Sequence, residues 1–236
     1  MSIDPTSLTR RSFVYRELAA LGADFAEING AACALTCGAE VEAEADRAAA
    51  LALCDLSPLP RGGFKGRAAI DWLRGQGVTV ADDDNRTARQ DDGVLAARLG
   101  PVEVLLLSDL DARSDLCDRL AGAWSPDPDP GAYPVPRADT NCWFLVSGGD
   151  APAMFAKLCG IDLRPHKFAP GAIAQTSVAR LNAIVLRGDL GSTPAYHLLT
   201  DCASAAYMWG CLRDAMDEFA GAPVGIEAMR RLAASA

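Results

Sequence analysis

Apolar and polar positions between residues 143 and 219 switch between a two-residue and a 3.6-residue period. Trp143 to Val146 reads as a strand, and Asp150 to Leu158 as a helix with Asp150 at the N-cap, Pro152 in the first turn and Gly160 ending it. A long strand is predicted from Val178 to Leu186, then a turn at Gly188-Asp189-Leu190-Gly191, a short strand from Tyr196 to Thr200 and a helix running to Phe219. In that last helix Met208, Leu212, Met216 and Phe219 fall on one stripe, while Arg213, Asp214, Asp217 and Glu218 face elsewhere. The order is β-α-β-β-α.

The first half repeats this order. A strand ends at Lys65, a helix covers Ala68 to Arg74, strands lie near Val94 to Leu99 and Val102 to Leu107, and a helix covers Asp111 to Leu120. A weak internal repeat marks the correspondence. Gly66-Arg67-Ala68-Ala69 precedes Trp72-Leu73 at the same spacing at which Gly148-Gly149-Asp150-Ala151 precedes Met154-Phe155. Helices are also predicted over Arg11 to Leu21 and over the Ala/Glu-rich stretch Ala39 to Ala52. Between the halves, Trp124 to Pro136 holds five prolines and a glycine, which exclude regular helix or central strand. The predicted organisation is therefore a half over residues 1–123, a Pro-rich linker over 124–136 and a second half over 137–236. The predicted class is α+β, with two split β-α-β-type (ferredoxin-like) units.

Composition narrows the function classes. The 236 residues suffice for a substantial core, and half of them are hydrophobic. The formal charge of −9 argues against nucleic acid or an anionic membrane surface as the main partner, because both attract basic patches. There is no run of about twenty apolar residues of the kind that spans a bilayer. The double Arg near the start is followed by Glu17, Asp24 and Glu27 instead of an apolar secretory segment, so the expected location is cytoplasmic. Eight cysteines are scattered without a Cys-x-x-Cys pair and read as buried free thiols. His166 and His197 are thirty-one residues apart and offer no metal spacing, so no metal site is expected.

The segment from Cys159 to Ser177, reading CGIDLRPHKFAPGAIAQTS, resembles the gamma subunit of heterotetrameric sarcosine oxidase. Across residues 10 to 232 the chain is similar to the related folate-binding domain of the aminomethyltransferase (glycine-cleavage T-protein) family. The matching residues are Arg11 to Ala23, Asp55-Leu56-Ser57 with Lys65-Gly66, and Gly221 to Ala228 with Leu232 in a late helix. The resemblance implies two units packed as an aminomethyltransferase folate-binding-like domain. It also implies a non-catalytic subunit of a flavoenzyme that oxidises an N-methylated amino acid. FAD, FMN and NAD would then sit on larger alpha- and beta-type flavoprotein subunits, with no cofactor expected on this chain and tetrahydrofolate as the candidate exception. Two departures point the same way. Where active relatives place an acidic residue after the Arg89 to Gly93 loop, this chain has Val94-Leu95-Ala96-Ala97, and near Ser192-Thr193-Pro194 the folate-binding Glu is absent. A pterin's donor edge is held by buried carboxylates. The alternative is a free-standing tetrahydrofolate-binding aminomethyltransferase or demethylase relative using other acids, such as Asp55, Asp91 or Asp92.

No catalytic residue is assigned. The candidate interface or ligand loop is built on Asp162, Arg164, His166 and Lys167, a charged quartet beside Gly and Pro that suits a neighbouring subunit or an anionic ligand. Gln175 and Thr176, expected just before the following strand, would order that loop by hydrogen bonds. His197 alternates with apolar strand neighbours and is expected to be packed. Cys33 and Cys37 alone make a poor zinc site. Arg61, Lys65 and Arg67 among glycines lack the order of a phosphate loop, and Asp82 to Asp84 with Asp91-Asp92 fit no EF-hand.

Overall fold

The computed structural model describes residues 2–235. In chain order its elements are β1 (Arg10–Arg11), α1 (Tyr15–Ala20), β2 (Ala23–Ile28), β3 (Ala31–Cys37), α2 (Val41–Ala50), β4 (Ala52–Asp55), β5 (Arg61–Lys65) and α3 (Ala69–Gly75). There follow β6 (Arg86–Arg89), β7 (Leu95–Gly100), β8 (Glu103–Leu107), α4 (Leu116–Ala123), β9 (Tyr133–Pro134), β10 (Asn141–Ser147) and α5 (Ala151–Phe155). The chain continues through β11 (Ile173–Val178), β12 (Leu181–Arg187), β13 (Ala195–Asp201), α6 (Ala205–Met216), β14 (Ala222–Pro223) and α7 (Ile226–Ala234). The class is α+β, as the periodicities imply.

By packing, the chain forms two compact units that are not consecutive in sequence. The smaller comprises Leu59–Thr140 with Gly171–Ile173, and the larger comprises the residues through Pro58, Asn141–Pro170 and those from Ala174 on. In the smaller unit the sheet order is β6-β7-β8-β5-β9. Phe64, Leu73, Val94, Ala96, Val104 and Leu106 form its core, with Trp72 and Trp124 packed at the margin. Trp124 Nε1 donates to the Ala132 carbonyl at 2.7 Å, and Tyr133–Pro134 pair with β5 as an edge strand. Proline is tolerated there because an edge strand leaves one row of N–H groups unused.

In the larger unit the sheet order is β11-β12-β13-β10-β4-β14, beside a three-stranded sheet β1-β3-β2. Trp143, Phe144, Phe155, Tyr196 and Trp209 are its largest fully buried side chains. Each such burial contributes roughly 2–3 kcal/mol. Glu44 is fully buried and acts as a staple. Its carboxylate accepts from the N–H groups of Cys37 (2.5 Å), Ala39 (3.3 Å) and Gly225 (2.7 Å), tying α2 to the end of β3 and to the start of α7.

Both units contain the same succession, β-α-β-β-β-α, one strand longer than the sequence pattern indicates. The equivalent strand orders are β6-β7-β8-β5 and β11-β12-β13-β10. In the larger unit the expected long strand over 178–186 is broken at Ala179 and Arg180, whose φ values of 47° and 66° make a tight left-handed turn between β11 and β12. Helices begin later or end earlier than periodicity indicates. Arg10–Arg11 are drawn into β1, shortening the first helix. The Asp109 carboxylate binds the N–H groups of Asp111, Arg113 and Ser114, holding a turn where the fourth helix was expected to start. Asp150 occupies the N-cap position of α5 without a side-chain capping bond, and α5 ends before Gly160.

The glycines of the internal repeat explain the shared geometry. Gly66 N–H donates to Val102 O (2.9 Å) and Gly148 N–H to Pro194 O (2.9 Å), in each case the residue just before the fourth strand of the succession. Two residues on, Ala68 N–H donates to Gly131 O (2.9 Å) and Asp150 N–H to Ala50 O (3.0 Å). Those same carbonyls would lie 2.3 and 2.2 Å from a Cβ added at Gly66 and Gly148, whose φ values are +144° and +114°. Only glycine fits both the torsion and the approach. Gly66→Ala and Gly148→Ala are each expected to destabilise by about 3 kcal/mol or more. Gly149→Ala, with open space at its Cβ, should stay within about 1 kcal/mol. Urea midpoints at unchanged slope measure the difference, and equal midpoints for Gly148→Ala and Gly149→Ala would contradict it.

Candidate functional site

The predicted loop leaves α5 through Cys159 and crosses the surface of the larger unit to Phe168. Leu163 and Phe168 are buried anchors, and Ile161, Asp162, Arg164, His166 and Lys167 remain exposed. Polar groups underneath hold the loop's backbone. Arg187, 6% exposed, donates through Nη1 to the carbonyls of Pro165 (3.1 Å) and Phe168 (2.6 Å). Its other edge makes a two-point pair with Asp189, Nε to Oδ1 and Nη2 to Oδ2, both at 2.8 Å. That pairing holds the Arg187 guanidinium above its ordinary pKa. Tyr196 Oη donates to Leu163 O at 2.8 Å. The Tyr196 ring stacks on Phe168 and meets Phe155 edge-on. Burial is the main reason its phenol is pushed up to about 12.

On the outer side Arg164 pairs with Asp162 at two points (2.9 and 2.6 Å), and its backbone N–H also donates to Asp162 Oδ1 at 3.1 Å. These bonds from Arg164 hold the Asp162 carboxyl well below the usual carboxylate range. The pair thus stays charged as pH falls through the range where ordinary carboxylates titrate, and opens only below it.

Between this loop and α5 lies a groove of about 800 Å³ whose lining includes Pro152, Ala153, Ala156, Asp162, Arg164 and His166. Three members of the predicted quartet therefore converge on one concavity. Lys167 is exposed on the same loop but does not line the groove. Gln175 and Thr176 lie inside β11, the outermost strand of the sheet, and not before the strand as expected. They too lie outside the groove lining. From Ala174 to Val178 burial alternates, with Gln175 and Ser177 exposed on one face and Ala174, Thr176 and Val178 covered on the other, the pattern of a half-exposed strand.

The sequence reading missed Arg187, Asp189 and Tyr196 as the supports of the loop. A usable signal was present: a cation closing an apolar strand, two residues before an acid, at the turn into the next strand. His197 is packed as expected, its Nδ1 accepting from Trp143 Nε1 at 3.0 Å, so its ring proton is placed on Nε2.

Residues 94–97, where an acid was sought, are all buried, and Val94 and Ala96 belong to the apolar core of the smaller unit. Ser192-Thr193-Pro194 lie in a turn closed by Leu190 and Thr193. The substitute acids are engaged locally or exposed. Asp55 accepts from Ser57 N–H (3.2 Å), Asp92 accepts from Val94 N–H (3.2 Å) and Ser114 Oγ (2.6 Å), and Asp91 is exposed. Asp82 and Asp84, on an exposed turn, form ion pairs with Arg74 (2.7 Å) and Arg98 (2.8 Å). Among the described residues no group of three His, Cys, Asp or Glu side chains is arranged to hold a metal, and no helix is long and apolar enough to cross a membrane.

Comparison with solved structures places this fold. The glycine cleavage system aminomethyltransferase T from Bartonella henselae superposes with a TM-score of 0.72 at 14% identity, over 95% of this chain and 62% of that one. This chain therefore spans less than two thirds of that protein's length. A chain of the heterotetrameric sarcosine oxidase from Corynebacterium sp. U-96, in complex with pyrrole 2-carboxylate, superposes with a TM-score of 0.62 at 21% identity, over 89% of this chain and 96% of that one. No family model and no curated protein matches the sequence. The chain has an aminomethyltransferase-like fold.

Arg187→Ala should destabilise by about 3 kcal/mol, because Asp189 loses its buried partner and two carbonyls lose donors. Tyr196→Phe should cost about 1 kcal/mol. Both should speed amide exchange at Lys167 and Phe168, whose N–H groups bond to Arg164 O, and unchanged exchange there would contradict the clamp. Burial pushes the Cys33 thiol up to about 12 from an ordinary 9.0, and raises Cys54 as well. The unfolded chain then loses these protons first, so their contribution is complete below pH 9 and is lost between pH 9 and about 12. The urea midpoint should fall over that window, and Cys33→Ala with Cys54→Ala should flatten the fall; a profile that the double variant leaves unchanged would contradict it.

Proposed function

We propose that this chain is a non-catalytic, gamma-type subunit of a heteromeric, sarcosine oxidase-like oxidoreductase acting on an N-methylated amino acid, and that it braces the folate-binding part of the large subunit. The observation that carries this reading is the apolar packing of Val94, Leu95, Ala96 and Ala97. A carboxylate at Ala96 would sit in a hydrocarbon core with no partner, at a desolvation penalty of several kcal/mol. Support also comes from the similarity in extent to a chain of a heterotetrameric sarcosine oxidase, 96% of which is covered. In this reading FAD, FMN and NAD belong to the partner flavoprotein subunits, this chain holds no cofactor, and the complex is cytoplasmic.

The rigid loop from Asp162 to Phe168 suits such a role. Interfaces lose less ordering entropy when the contacting backbone is already fixed. Obligate interfaces commonly bury more than about 2,000 Å², and exposed Phe13, Ile161 and Tyr207 offer apolar area for one.

The test is calorimetric titration of the isolated chain with tetrahydrofolate. The scaffold reading predicts no heat of binding. Saturable binding at micromolar concentration would overturn it in favour of the free-standing aminomethyltransferase or demethylase alternative, and Asp55→Asn, Asp91→Asn and Asp92→Asn would then locate the acid that holds the pterin.

A further inference from the structure

The tip of the β2–β3 hairpin sets a reactive side chain beside an unguarded backbone nitrogen. Asn29 and Gly30 form the two-residue turn between the paired residues Ile28 and Ala31, at φ values of 50° and 72°, and both are exposed. Among the described residues nothing hydrogen-bonds the Asn29 carboxamide or the Gly30 N–H; Arg10 Nη1 donates instead to the Asn29 main-chain carbonyl, at 3.2 Å. A Cβ added at Gly30 would meet nothing within 4 Å, so the turn has open space around it. The other asparagines lack this combination. Asn85, Asn141 and Asn182 precede Arg86, Cys142 and Ala183, residues with side chains whose backbone lies in the ladders of β6, β10 and β12. The chemically related Asp92-Gly93 is restrained on both sides. Asp92 accepts from Val94 N–H (3.2 Å) and Ser114 Oγ (2.6 Å), and Gly93 N–H donates to Gln90 O at 3.0 Å.

We propose that Asn29-Gly30 is a spontaneous deamidation site, at which the chain modifies itself with water as the co-reactant. The Gly30 main-chain nitrogen, giving its proton to solvent base, attacks Cγ of Asn29. The new N–Cγ bond closes a succinimide ring, and the side-chain nitrogen takes up a proton and leaves as ammonia. Water then adds to one of the two ring carbonyls. Opening at Cγ gives aspartate at position 29, and opening at the main-chain carbonyl gives isoaspartate, in which the backbone runs through Cβ. Glycine serves this chemistry twice, because no Cβ shields its nitrogen and because it lets the peptide rotate out of the left-handed turn to reach Cγ. The products differ in consequence. An Asp-Gly pair suits the same turn, with its carboxylate on the residue that Arg10 already contacts. Isoaspartate lengthens the turn by one backbone atom, which the direct pairing of Ile28 with Ala31 cannot absorb unchanged. Every product gains a negative charge, and the isoaspartyl form also loosens the hairpin.

The test is incubation of the purified full chain at mildly alkaline pH and physiological temperature, followed over weeks by ion-exchange chromatography and peptide mapping. The expected result is a growing acidic fraction whose altered peptide spans position 29, is one mass unit heavier and resolves into aspartyl and isoaspartyl forms. Asn85, Asn141, Asn182 and Asp92 should be intact in the same samples. Gly30→Ala should lose the acidic fraction over the same period. Asn29→Gly, which keeps the left-handed torsion without strain and removes the carboxamide, should lose it with the hairpin intact. An unaltered position 29 after the full incubation would overturn the proposal. So would equal conversion at Asn85, Asn141 or Asn182, or an undiminished acidic fraction from Asn29→Gly.

Discussion

The buried ion pair of Arg187 and Asp189 is the constraint from which the exposed face of the larger unit follows. A guanidinium at 6% exposure is tolerated because all three of its nitrogens donate, to a carboxylate on one edge and to two loop carbonyls on the other. Lysine could not take this place, having neither the planar fork nor the reach to serve both edges. The carbonyls of Pro165 and Phe168 are bound from inside, and the loop turns its charged side chains outward. Arg164 and Asp162 neutralise each other on the surface, and the groove beside α5 exists because the loop stands away from that helix in a fixed position.

The same economy of backbone contacts accounts for the repeated β-α-β-β-β-α succession. In each unit a glycine ends the first strand, and a carbonyl approaches it so closely that no Cβ fits. That carbonyl then receives the N–H two residues on, setting the entry of the following helix. The spacing of Gly66 to Trp72 and of Gly148 to Met154, visible in the sequence, is the trace of this arrangement.

Elements with strong periodicity were legible without a structure: β5, α3, β7, β8, β10, β13 and α6 lie close to where the apolar pattern places them. The elements that escaped had weak apolar signals. Strand β6 reads Arg-Thr-Ala-Arg, and β11 shows polar residues on its exposed face. The β11–β12 turn uses Ala179-Arg180 instead of Asn-Gly, so nothing in the sequence marked a reversal. The β2–β3 hairpin carries Asn29-Gly30, both at positive φ, but its Ala-rich strands hold only Ile28 and Thr36 as β-branched residues. At the site, the charged loop was legible because its composition is unusual. Its supports were not, because Arg187 and Tyr196 belong to strands read for their apolar residues and Asp189 to the turn between them.

Two physical features of the chain bear on its proposed role. In the smaller unit residues 94–97 pack into hydrocarbon, and in the larger unit a hydrogen-bonded loop and α5 frame an open groove. Both support the subunit role proposed above. The measurement that tests the combination most directly is the native mass, with identification of the chains, of the assembly recovered through a tag at native expression level. The account predicts a heteromeric complex with larger flavin-bearing chains; a lone monomer or a homodimer would contradict it.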